Sequence, residues 1–369
     1  MSNSDLFIGL ISGTSIDGVD AALVTIERNC PELIETYFHE FDDSVREKIL
    51  SLCSGPEITL RQLGEVDLEI GRIFADTTKD LLKRANITSK NVCAIGSHGQ
   101  TIWHQPDGPL PFSLQIGNPN TIAEVTGITT VADFRQRDLS AGGQGAPLAP
   151  LLHRNCFRGE KDRVVVNIGG ISNMTALGKE DNCFAFDTGP GNVLMDYWTN
   201  KHHAHTFDAN GEWAKSGKTN AELLDLLLEE AYFDLPGPKS TGRDLFNGTW
   251  LEQKLRLAPA VTEEDVQATL LQFTVNTIAT PIKNTTKAQE VYVCGGGANN
   301  NYLMNRLGDA LSEYEVATTS KLGIDPDWVE AIAFAWMASE TISGRRIDTT
   351  AFTGAKSPVI LGGIYQAGE

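Results

Sequence analysis

Two stretches of the chain repeat one order of segments, and this repetition constrains the fold more than any other feature of the sequence. In the first stretch, apolar segments at residues 6–11, 19–27 and 34–41 predict three strands joined by tight turns. The pattern restarts at residue 163, where RVVVNIGG, ISNMTAL and CFAFDTGPGN again predict three strands. The sequence therefore predicts two degenerate copies of one α/β unit.

Each predicted set of strands is followed by helices and by a further buried strand. Residues 43–53 and 59–85 have the apolar spacing of helices, and VCAIGSHG at 92–99 predicts the strand that follows them. In the second copy, helical spacing at residues 219–230 and 262–285 precedes EVYVCGGGANN, which predicts strand, glycine turn and helix. The similarity of the two copies thus extends beyond their first three strands.

The crossing between the copies is expected at GGQGAPLAP, residues 142–150, because this segment is rich in glycine and proline. We therefore predict an N-terminal domain over residues 1–145 and a C-terminal domain over residues 146–369. Whether the C-terminal helix packs back on the N-terminal domain is left open.

Residues 200–218 are polar and predict an exposed loop. Three histidines of this segment, His202, His203 and His205, have no neighbouring cysteine and no regular carboxylate spacing. We therefore expect them at the protein surface rather than on a metal ion.

Composition narrows the classes of partner and the compartment. The length of 369 residues suggests about two domains, and an apolar content of 41% suffices for cores without disulfides or structural metal. With 30 Lys and Arg against 48 Asp and Glu, the net charge is −18, which argues against nucleic acid and anionic membrane surfaces as partners. The six cysteines form no CxxC pair and are expected to be reduced. Since neither a signal peptide nor a long apolar run is recognisable, we expect a cytoplasmic protein.

Three glycine-rich turns directly follow predicted strands, at residues 13–17, 169–173 and 295–297. A turn without side chains at its apex lets successive N–H groups converge on phosphate oxygens, and Asp17 could hold Mg²⁺ through water. A single turn of this kind is as typical of a hairpin as of a phosphate site. Three of them at corresponding strand ends favour a nucleotide site, although the sequence has neither a P-loop nor a dinucleotide fingerprint.

Two acidic residues are candidates for chemistry. Asp187 follows the strand CFAF and is expected at its carboxyl end, just before a helix whose first turn contains Pro190. A carboxylate there faces the crevice in which open α/β sheets bind ligands, with a helix-capping or turn aspartate as the alternative. Glu330 is the one acidic residue in the apolar stretch 328–338, where it either begins a helix or serves a site.

Two further strand ends carry polar groups that suit a hydroxylated ligand. SHGQT contains His98 and Gln100, and DFRQRD, which follows the strand ITTVA, contains Asp133 and Arg135. Arg135 or Arg137 could pair with an anionic substituent of the ligand, and a structural ion pair is an equal alternative. His98 could equally be a buried, hydrogen-bonded core histidine.

Five motifs together resemble the anhydro-N-acetylmuramic acid kinase family. They are ISGTSIDGVD at 11–20, SHGQT at 97–101, VNIGGISNMT at 166–175, FDTGPGN at 186–192 and CGGGANN at 294–300. The resemblance runs essentially from end to end and in order. It implies membership of the actin, hexokinase and Hsp70 superfamily, and hence an α/β fold of duplicated ribonuclease-H-like, actin-like ATPase domains with a central ATP cleft.

The resemblance also implies an activity and residue roles. The reaction would be the ATP-dependent opening and O6 phosphorylation of 1,6-anhydro-N-acetylmuramic acid in peptidoglycan recycling, with Mg²⁺ as cofactor and a homodimer as the assembly. Asp187 matches the family's catalytic base, and Glu330 would help to hold the attacking water. The implied phosphate and adenosine contacts are Gly13, Thr14, Ser15, Ile16, Asp17, Gly18, Val19, Asp20, Gly169, Gly170, Asn173, Gly295, Gly296 and Gly297. The implied sugar contacts are His98, Gln100, Asp133 and Arg135, and the implied metal contact is Asp17.

Three other classes of protein stay open at this point. Another sugar or acyl-phosphate kinase of the superfamily would share the phosphate turns but would phosphorylate an ordinary hydroxyl or carboxylate. An actin-like or chaperone-like ATPase would turn over ATP without sugar, although the polar motifs SHGQT and DFRQRD favour a pocket for a small ligand. A ribonuclease-H-like nuclease fits poorly with the net charge of −18 and with three phosphate turns.

Overall fold

A computed structural model of the chain describes residues 6–27, 30–54, 57–179 and 182–368. Within these ranges the strands are β1 (Leu6–Ser12), β2 (Gly18–Glu27), β3 (Cys30–Glu40), β4 (Val92–Gln105), β5 (Phe112–Ile116), β6 (Thr130–Ala132), β7 (Arg163–Ile168), β8 (Ile171–Leu177), β9 (Cys183–Pro190), β10 (Glu290–Cys294), β11 (Glu315–Thr318) and β12 (Gly363–Tyr365). The α-helices are α1 (Asp43–Ser54), α2 (Leu60–Ala85), α3 (Pro119–Thr126), α4 (Phe134–Ser140), α5 (Pro150–Cys156), α6 (Val193–His203), α7 (Glu212–Ser216), α8 (Ala221–Leu228), α9 (Gly248–Leu257), α10 (Glu263–Thr285), α11 (Asn301–Ala310), α12 (Val329–Ile342) and α13 (Thr350–Thr353).

The chain divides into two compact units. The first joins the residues up to Cys156 to those from Trp328 onward, and the second runs from Phe157 to Asp327. The predicted division at residue 145 differs from this one, since the glycine-rich segment around it is tied into the first unit. Gly145 N–H donates to Asp138 Oδ2 over 2.8 Å, for example.

Each unit contains one sheet, and the two sheets share the order of five strands. In the first sheet the order is β12-β6-β4-β1-β2-β3, with β5 paired to β4 outside this path. In the second sheet the order is β11-β10-β7-β8-β9. Both contain an antiparallel meander of three strands, whose first strand has two parallel strands on its other side. The structure therefore confirms the predicted duplication and the ribonuclease-H-like fold class.

The long helix α2 shows how local sequence sets the elements of the first unit. Its start is a capping box, in which the Thr59 side chain accepts from Gln62 N–H while the Gln62 side chain accepts from Thr59 N–H. Its end is Asn86, which adopts a left-handed conformation. Between these ends, residues such as Ile70 and Phe74 lie at helical spacing and are fully buried.

Helix α12 packs on the first sheet, where two paired glycines leave room for its backbone. Gly9 of β1 lies beside Gly96 of β4. A Cβ on Gly9 would lie 1.7 Å from Ala331 O, and one on Gly96 would lie 2.0 Å from Phe334 O. Real Cβ atoms essentially never approach other atoms closer than 3.0 Å, so a larger residue at either position would push the helix away.

Three local predictions were wrong. Strand β4 does not end at residue 99 but continues to Gln105, because β5 pairs with it antiparallel there. Pro190 does not lie in a helix; it is the last residue of β9, opposite Ile171, and α6 begins at Val193. Residues 200–218 are not an open loop, because they include the end of α6 and all of α7.

The histidines of that segment lie around two tryptophans. The His202 ring is 4.1 Å from the Trp198 ring between centroids, and its Nδ1 is 3.1 Å from Glu263 Oε1. The His203 ring contacts Trp213 edge-on at 4.2 Å. In the part of the chain that the structure describes, no group of three or more His, Cys, Asp or Glu residues could hold a metal ion. No helix within the described ranges is long and apolar enough to cross a membrane.

Candidate active site

The turn after β1 contains the first predicted phosphate motif. Ile16 has a positive φ of 56° and a side chain that is 2% exposed, so it anchors the turn in the apolar core. Ser15 and Asp17 are exposed, and the Ser15 hydroxyl donates to Asp17 Oδ1 over 2.7 Å. The last three residues of the motif, Gly18, Val19 and Asp20, belong to β2. The turn thus presents hydroxyl and carboxylate oxygens to solvent on an apolar anchor.

Gln100 holds this turn to the neighbouring strand. Its Oε1 accepts from the Ser12 hydroxyl over 2.6 Å, and its Nε2 donates to Thr101 O over 3.1 Å. The residue is 1% exposed. Since Ser12 directly precedes Gly13, the Gln100 amide fixes the point at which the turn begins.

His98 and Arg135 form a hydrogen-bonded pair in the first unit. Arg135 Nε donates to His98 Nε2 over 2.8 Å, and His98 Nδ1 lies 2.9 Å from Gly99 O. Because Nε2 accepts, Nδ1 carries the proton and donates to the carbonyl. Burial, and then the charge of Arg135, lowers the pKa of His98 well below its usual value of 6.5. A neutral His98 therefore orients the Arg135 guanidinium.

His104 is a second, half-buried histidine near Arg135, and the sequence patterns did not predict it. Its Nδ1 is 3.0 Å from Ser113 Oγ, which also accepts from Gln115 Nε2 over 2.7 Å. Burial, and then the charge of Arg135, lowers the pKa of His104 to about 3. The histidine was missed because β4 was expected to end before it.

Asp133 stands between β6 and α4 in the left-handed conformation, with φ of 61°. Its carboxylate is exposed and accepts a hydrogen bond from the Tyr365 hydroxyl. Burial, and then the hydrogen bond and charge of Asp133, raises the pKa of Tyr365 to about 12. The hydroxyl therefore stays protonated, and strand β12 supplies a fixed donor that orients the carboxylate.

Glu330 lies in the first turn of α12 and is half-buried. This position agrees with the prediction that it begins a helix. It belongs to the first unit together with His98 and Arg135, whereas Asp187 belongs to the second.

Three polar side chains form a row across the second sheet. Asn167 of β7 pairs with Asn173 of β8, and Asn173 pairs with Asp187 of β9. Residues that pair in this way project from the same face, with Cβ atoms about 5 Å apart. The Oδ1 atoms of Asn167 and Asn173 are buried and have no hydrogen-bond partner among the residues that the structure describes. The row thus brings the predicted base beside a predicted phosphate residue.

Asp187 is fixed by a segment that follows much later in the chain. Thr241 N–H donates to Asp187 Oδ2 over 3.0 Å, and Asp187 N–H donates to Lys239 O over 3.0 Å. The Tyr232 hydroxyl donates to Asp187 O over 2.6 Å. Residues 232–241 therefore hold both backbone groups and one carboxylate oxygen of a side chain that is 6% exposed.

The glycine turns of the second unit lie at neighbouring strand ends. The Gly169 and Gly170 carbonyls accept hydrogen bonds from N–H groups of residues 191–193, the shortest of 2.8 Å. Gly295 has φ of 78°, and a Cβ on it would lie 2.2 Å from Asn167 Oδ1. Since β7 and β10 are parallel neighbours, both turns lie at the carboxyl edge of the sheet, where α/β sheets bind ligands.

Sequence reasoning missed three residues around Asp187, and only one of them carried a signal. Asn167 is a polar residue near the end of the apolar strand RVVVNI, two residues before a glycine turn. Tyr232 and Thr241 lie 45 and 54 residues from Asp187 along the chain, and no periodic pattern connects them to it.

A duplicated sheet of this order, with glycine turns at its ligand-binding edge, is typical of ATP-dependent phosphotransferases with ribonuclease-H-like domains. Residues 5–367 match the family described as anhydro-N-acetylmuramic acid kinase. The chain belongs to this family, and it is a sugar kinase that uses ATP.

The similarity to known proteins extends over nearly the whole chain. The anhydro-N-acetylmuramic acid kinase of Pasteurella multocida (strain Pm70) is 46% identical over 362 residues, which cover 97% of this chain and 96% of that protein. The protein of the same name from Shewanella putrefaciens is 47% identical over 363 residues, with 98% of both chains covered. Among solved structures, component A of the (R)-2-hydroxyglutaryl-CoA dehydratase of Acidaminococcus fermentans is similar over 90% of this chain and 97% of its own, with 11% identity and a TM-score of 0.47.

Proposed function

We propose that this kinase opens 1,6-anhydro-N-acetylmuramic acid with water and transfers the γ-phosphoryl group of ATP to O6. The products are N-acetylmuramate 6-phosphate and ADP, and the reaction serves peptidoglycan recycling. The names of the Pasteurella and Shewanella relatives support the substrate. The observation that carries the mechanism is the buried Asp187 carboxylate, which Thr241 holds in the row with Asn167 and Asn173.

Asp187 acts as a general base on water because the sugar's O6 has no proton to lose. O6 is tied to C1 in the bridge, so water attacks C1 as the C1–O6 bond breaks. One proton of the water passes to Asp187, and the other stays on the new anomeric hydroxyl. The freed O6 takes the γ-phosphoryl group, ADP leaves, and Asp187 releases its proton to solvent. Glu330 helps to hold the water, a role that rests on the family resemblance alone.

The glycine turns hold the nucleotide through backbone N–H groups. Residues 13–20 form one phosphate site and Gly169, Gly170 and Asn173 a second, while Gly295, Gly296 and Gly297 lie beside the adenosine. For Mg²⁺, the exposed Ser15 hydroxyl and Asp17 carboxylate are the hard oxygen donors that this ion prefers. When bound, the ion neutralises charge on the phosphates.

The polar residues of the first unit bind the sugar in this proposal. Arg135, oriented by neutral His98, pairs with the carboxylate of the sugar's lactyl group. Asp133, oriented by Tyr365, accepts hydrogen bonds from sugar hydroxyls. Gln100 acts indirectly, because both ends of its amide already have protein partners.

We also propose a cytoplasmic homodimer. The use of ATP favours the cytoplasm, and the family resemblance favours the dimer. Light scattering should give twice the 40.1 kDa mass of one chain, and a monomer at micromolar concentration would contradict the dimer.

Oxygen labelling tests the coupled reaction. In ¹⁸O-water, the label should enter the anomeric carbon and not the phosphate ester, whose bridging oxygen is the sugar's own O6. Prompt analysis and a chase in unlabelled water control for exchange at the anomeric hydroxyl. Ring-opened N-acetylmuramate should be a poor substrate, since its O6 already bears a proton that the water site beside Asp187 does not help to remove. Label in the phosphoryl group, or efficient phosphorylation of the ring-opened sugar, would show an ordinary sugar kinase instead.

A further inference from the structure

We propose that Thr241 is a further catalytic residue, whose hydroxyl hydrogen-bonds the water that Asp187 deprotonates. The proposal rests on the proposed function and adds a residue to it. Two observations at this one residue support it. Its N–H donates to Asp187 Oδ2 over 3.0 Å, and its Oγ1 is buried without a hydrogen-bond partner among the described residues.

A buried hydroxyl without a partner destabilises a folded protein, because the group has lost its bonds to water and gained none. Two other threonines of the second unit show a satisfied arrangement. Thr274 Oγ1 donates to Gly191 O over 2.8 Å, and Thr269 Oγ1 donates to Asp265 O over 2.6 Å. The unsatisfied hydroxyl of Thr241 therefore points to a partner that arrives with the substrates.

The position of the hydroxyl fits a water molecule on the base. Oγ1 sits on the Cβ of the same residue whose N–H contacts the Asp187 carboxylate, so the hydroxyl lies close to Oδ2. Each O–H···O bond spans about 2.8 Å, and one water can therefore bond to both. Tyr232 and Lys239 hold the Asp187 backbone and so fix this arrangement.

A second acceptor beside Asp187 orients the attacking water. A water that donates both hydrogens to fixed oxygens must direct a lone pair elsewhere, here toward C1 of the sugar. Asp187 accepts the hydrogen that is removed as the bond from water to C1 forms and the C1–O6 bond breaks. Thr241 Oγ1, which has two acceptor lone pairs, accepts the hydrogen that stays on the anomeric oxygen. Thr241 itself gains and loses no proton.

Asn173 Oδ1 is the competing acceptor, since it too is buried without a partner in the described part of the chain. Strand pairing alone relates Asn173 to Asp187, whereas Thr241 touches the carboxylate directly. Asn173 also lies three residues after the Gly170 turn and is better placed for phosphate.

Threonine variants of matched shape test the proposal in the full-length enzyme. Thr241→Val keeps the size, the branched Cβ and the N–H, and removes only the hydroxyl. We expect kcat for the anhydro sugar to fall at least tenfold, with KM for ATP within about twofold of wild type. The melting temperature should stay constant or rise, since an unsatisfied group is removed. Thr241→Ser should restore most of the activity.

Thr78→Val is the control, because the buried Thr78 hydroxyl already donates to Phe74 O over 2.9 Å. This variant should lose thermal stability and keep kcat, which is the reverse of the Thr241→Val result. A Thr241→Val enzyme with wild-type kcat, or one that loses kcat only together with melting temperature, would overturn the proposal. Failure of the proposed function is distinguishable, because it would appear in the wild-type enzyme as the wrong product or the wrong ¹⁸O position.

Discussion

The two sheets place different side chains at the same position of the same topology. In the first sheet, Ile11 lies two residues before the glycine turn. It pairs with Asp20, which pairs with Phe38, and these three residues form one row. In the second sheet the corresponding row consists of Asn167, Asn173 and Asp187. The row of the first sheet has one polar residue between two apolar ones, and the row of the second sheet has three polar residues. The five strands that the sheets share have the same order.

This difference shows how a duplicated fold separates scaffold from chemistry. The strand order depends on apolar segments that both copies retain, and those segments tolerate exchange among apolar residues. The rows at the carboxyl edge differ between the two units without a change in strand order. In the second unit the row surrounds the proposed base, and in the first unit the polar groups stand instead on β4 and α4.

The largest expected effect lies in the row itself. Asp187→Asn keeps the size of the side chain and removes its basicity, so turnover should fall by roughly 10²-fold or more while ATP binding changes little. Phe38→Leu, at the matching position of the first sheet, should keep turnover within a few-fold. Steady-state kinetics and ATP calorimetry measure both. Near-normal turnover of the Asp187 variant would contradict the assignment of Asp187 as the base and so the functional difference between the two rows.

A second prediction concerns the helix that only one sheet accommodates. Gly9→Ala places a Cβ 1.7 Å from Ala331 O, so we expect a loss of about 1–3 kcal/mol in the free energy of unfolding. The matching residue of the second sheet, Val165, is fully buried with its branched side chain in place. Gly64→Ala is the control, since nothing lies within 4 Å of its Cβ position, and it should stabilise helix α2 by about 0.5–1 kcal/mol. If urea titrations gave Gly9→Ala the same free energy of unfolding as wild type, the result would contradict the close packing of α12.

Acidification should weaken the first unit in particular. Burial lowers the pKa of His104 and His153 to about 3, and His98 is lowered in the same direction. The unfolded chain therefore binds protons below about pH 6.5 that the folded unit does not, so stability is complete above pH 6.5 and falls as the pH decreases toward 3.

Each of these histidines should lower the free energy of unfolding by about 1.4 kcal/mol as the pH falls from neutral to 5.5. Hydrogen exchange followed by mass spectrometry should show lower protection of the first sheet at pH 5.5 than at neutral pH, after correction for the pH dependence of the intrinsic exchange rate. His153→Leu removes one titrating group and should flatten the dependence of unfolding free energy on pH. A variant with the same pH slope as wild type would contradict this account.

The smallest effect is expected where the first unit orients Asp133. Tyr365→Phe removes one hydroxyl that donates to this carboxylate, which is worth about 1 kcal/mol or a few-fold in KM for the sugar. KM for ATP should not change, because the proposed adenosine contacts lie in the second unit. A change in KM for ATP instead would assign β12 to the nucleotide rather than to the sugar.

Much of the fold follows from local patterns. Apolar runs and glycine turns are recognised within a few residues of one another, and they predicted the order of strands and helices. The predictions of strand ends were wrong where a partner distant in sequence sets the end of the strand. Strand β4 continues past Gly99 because β5 pairs with it, and Pro190 ends a strand because Ile171 lies opposite.

The candidate site divides in the same way. Asp187 and the glycine turns were recognisable because each belongs to a short motif that follows an apolar run. Thr241 and His104 were not recognisable from the sequence. Thr241 is distinguished by its contact with Asp187 and His104 by its burial, and the residues next to them in the sequence indicate neither.

The sequence by itself determined that two copies of one α/β unit would form and that glycine turns would follow the first strand of each copy. Only the tertiary structure decided that α12 returns to the first sheet over Gly9 and Gly96, and that Thr241 reaches Asp187 across 54 residues. The physical reason is that periodicity and turn chemistry act over a few residues, whereas these contacts arise when packing brings distant segments together.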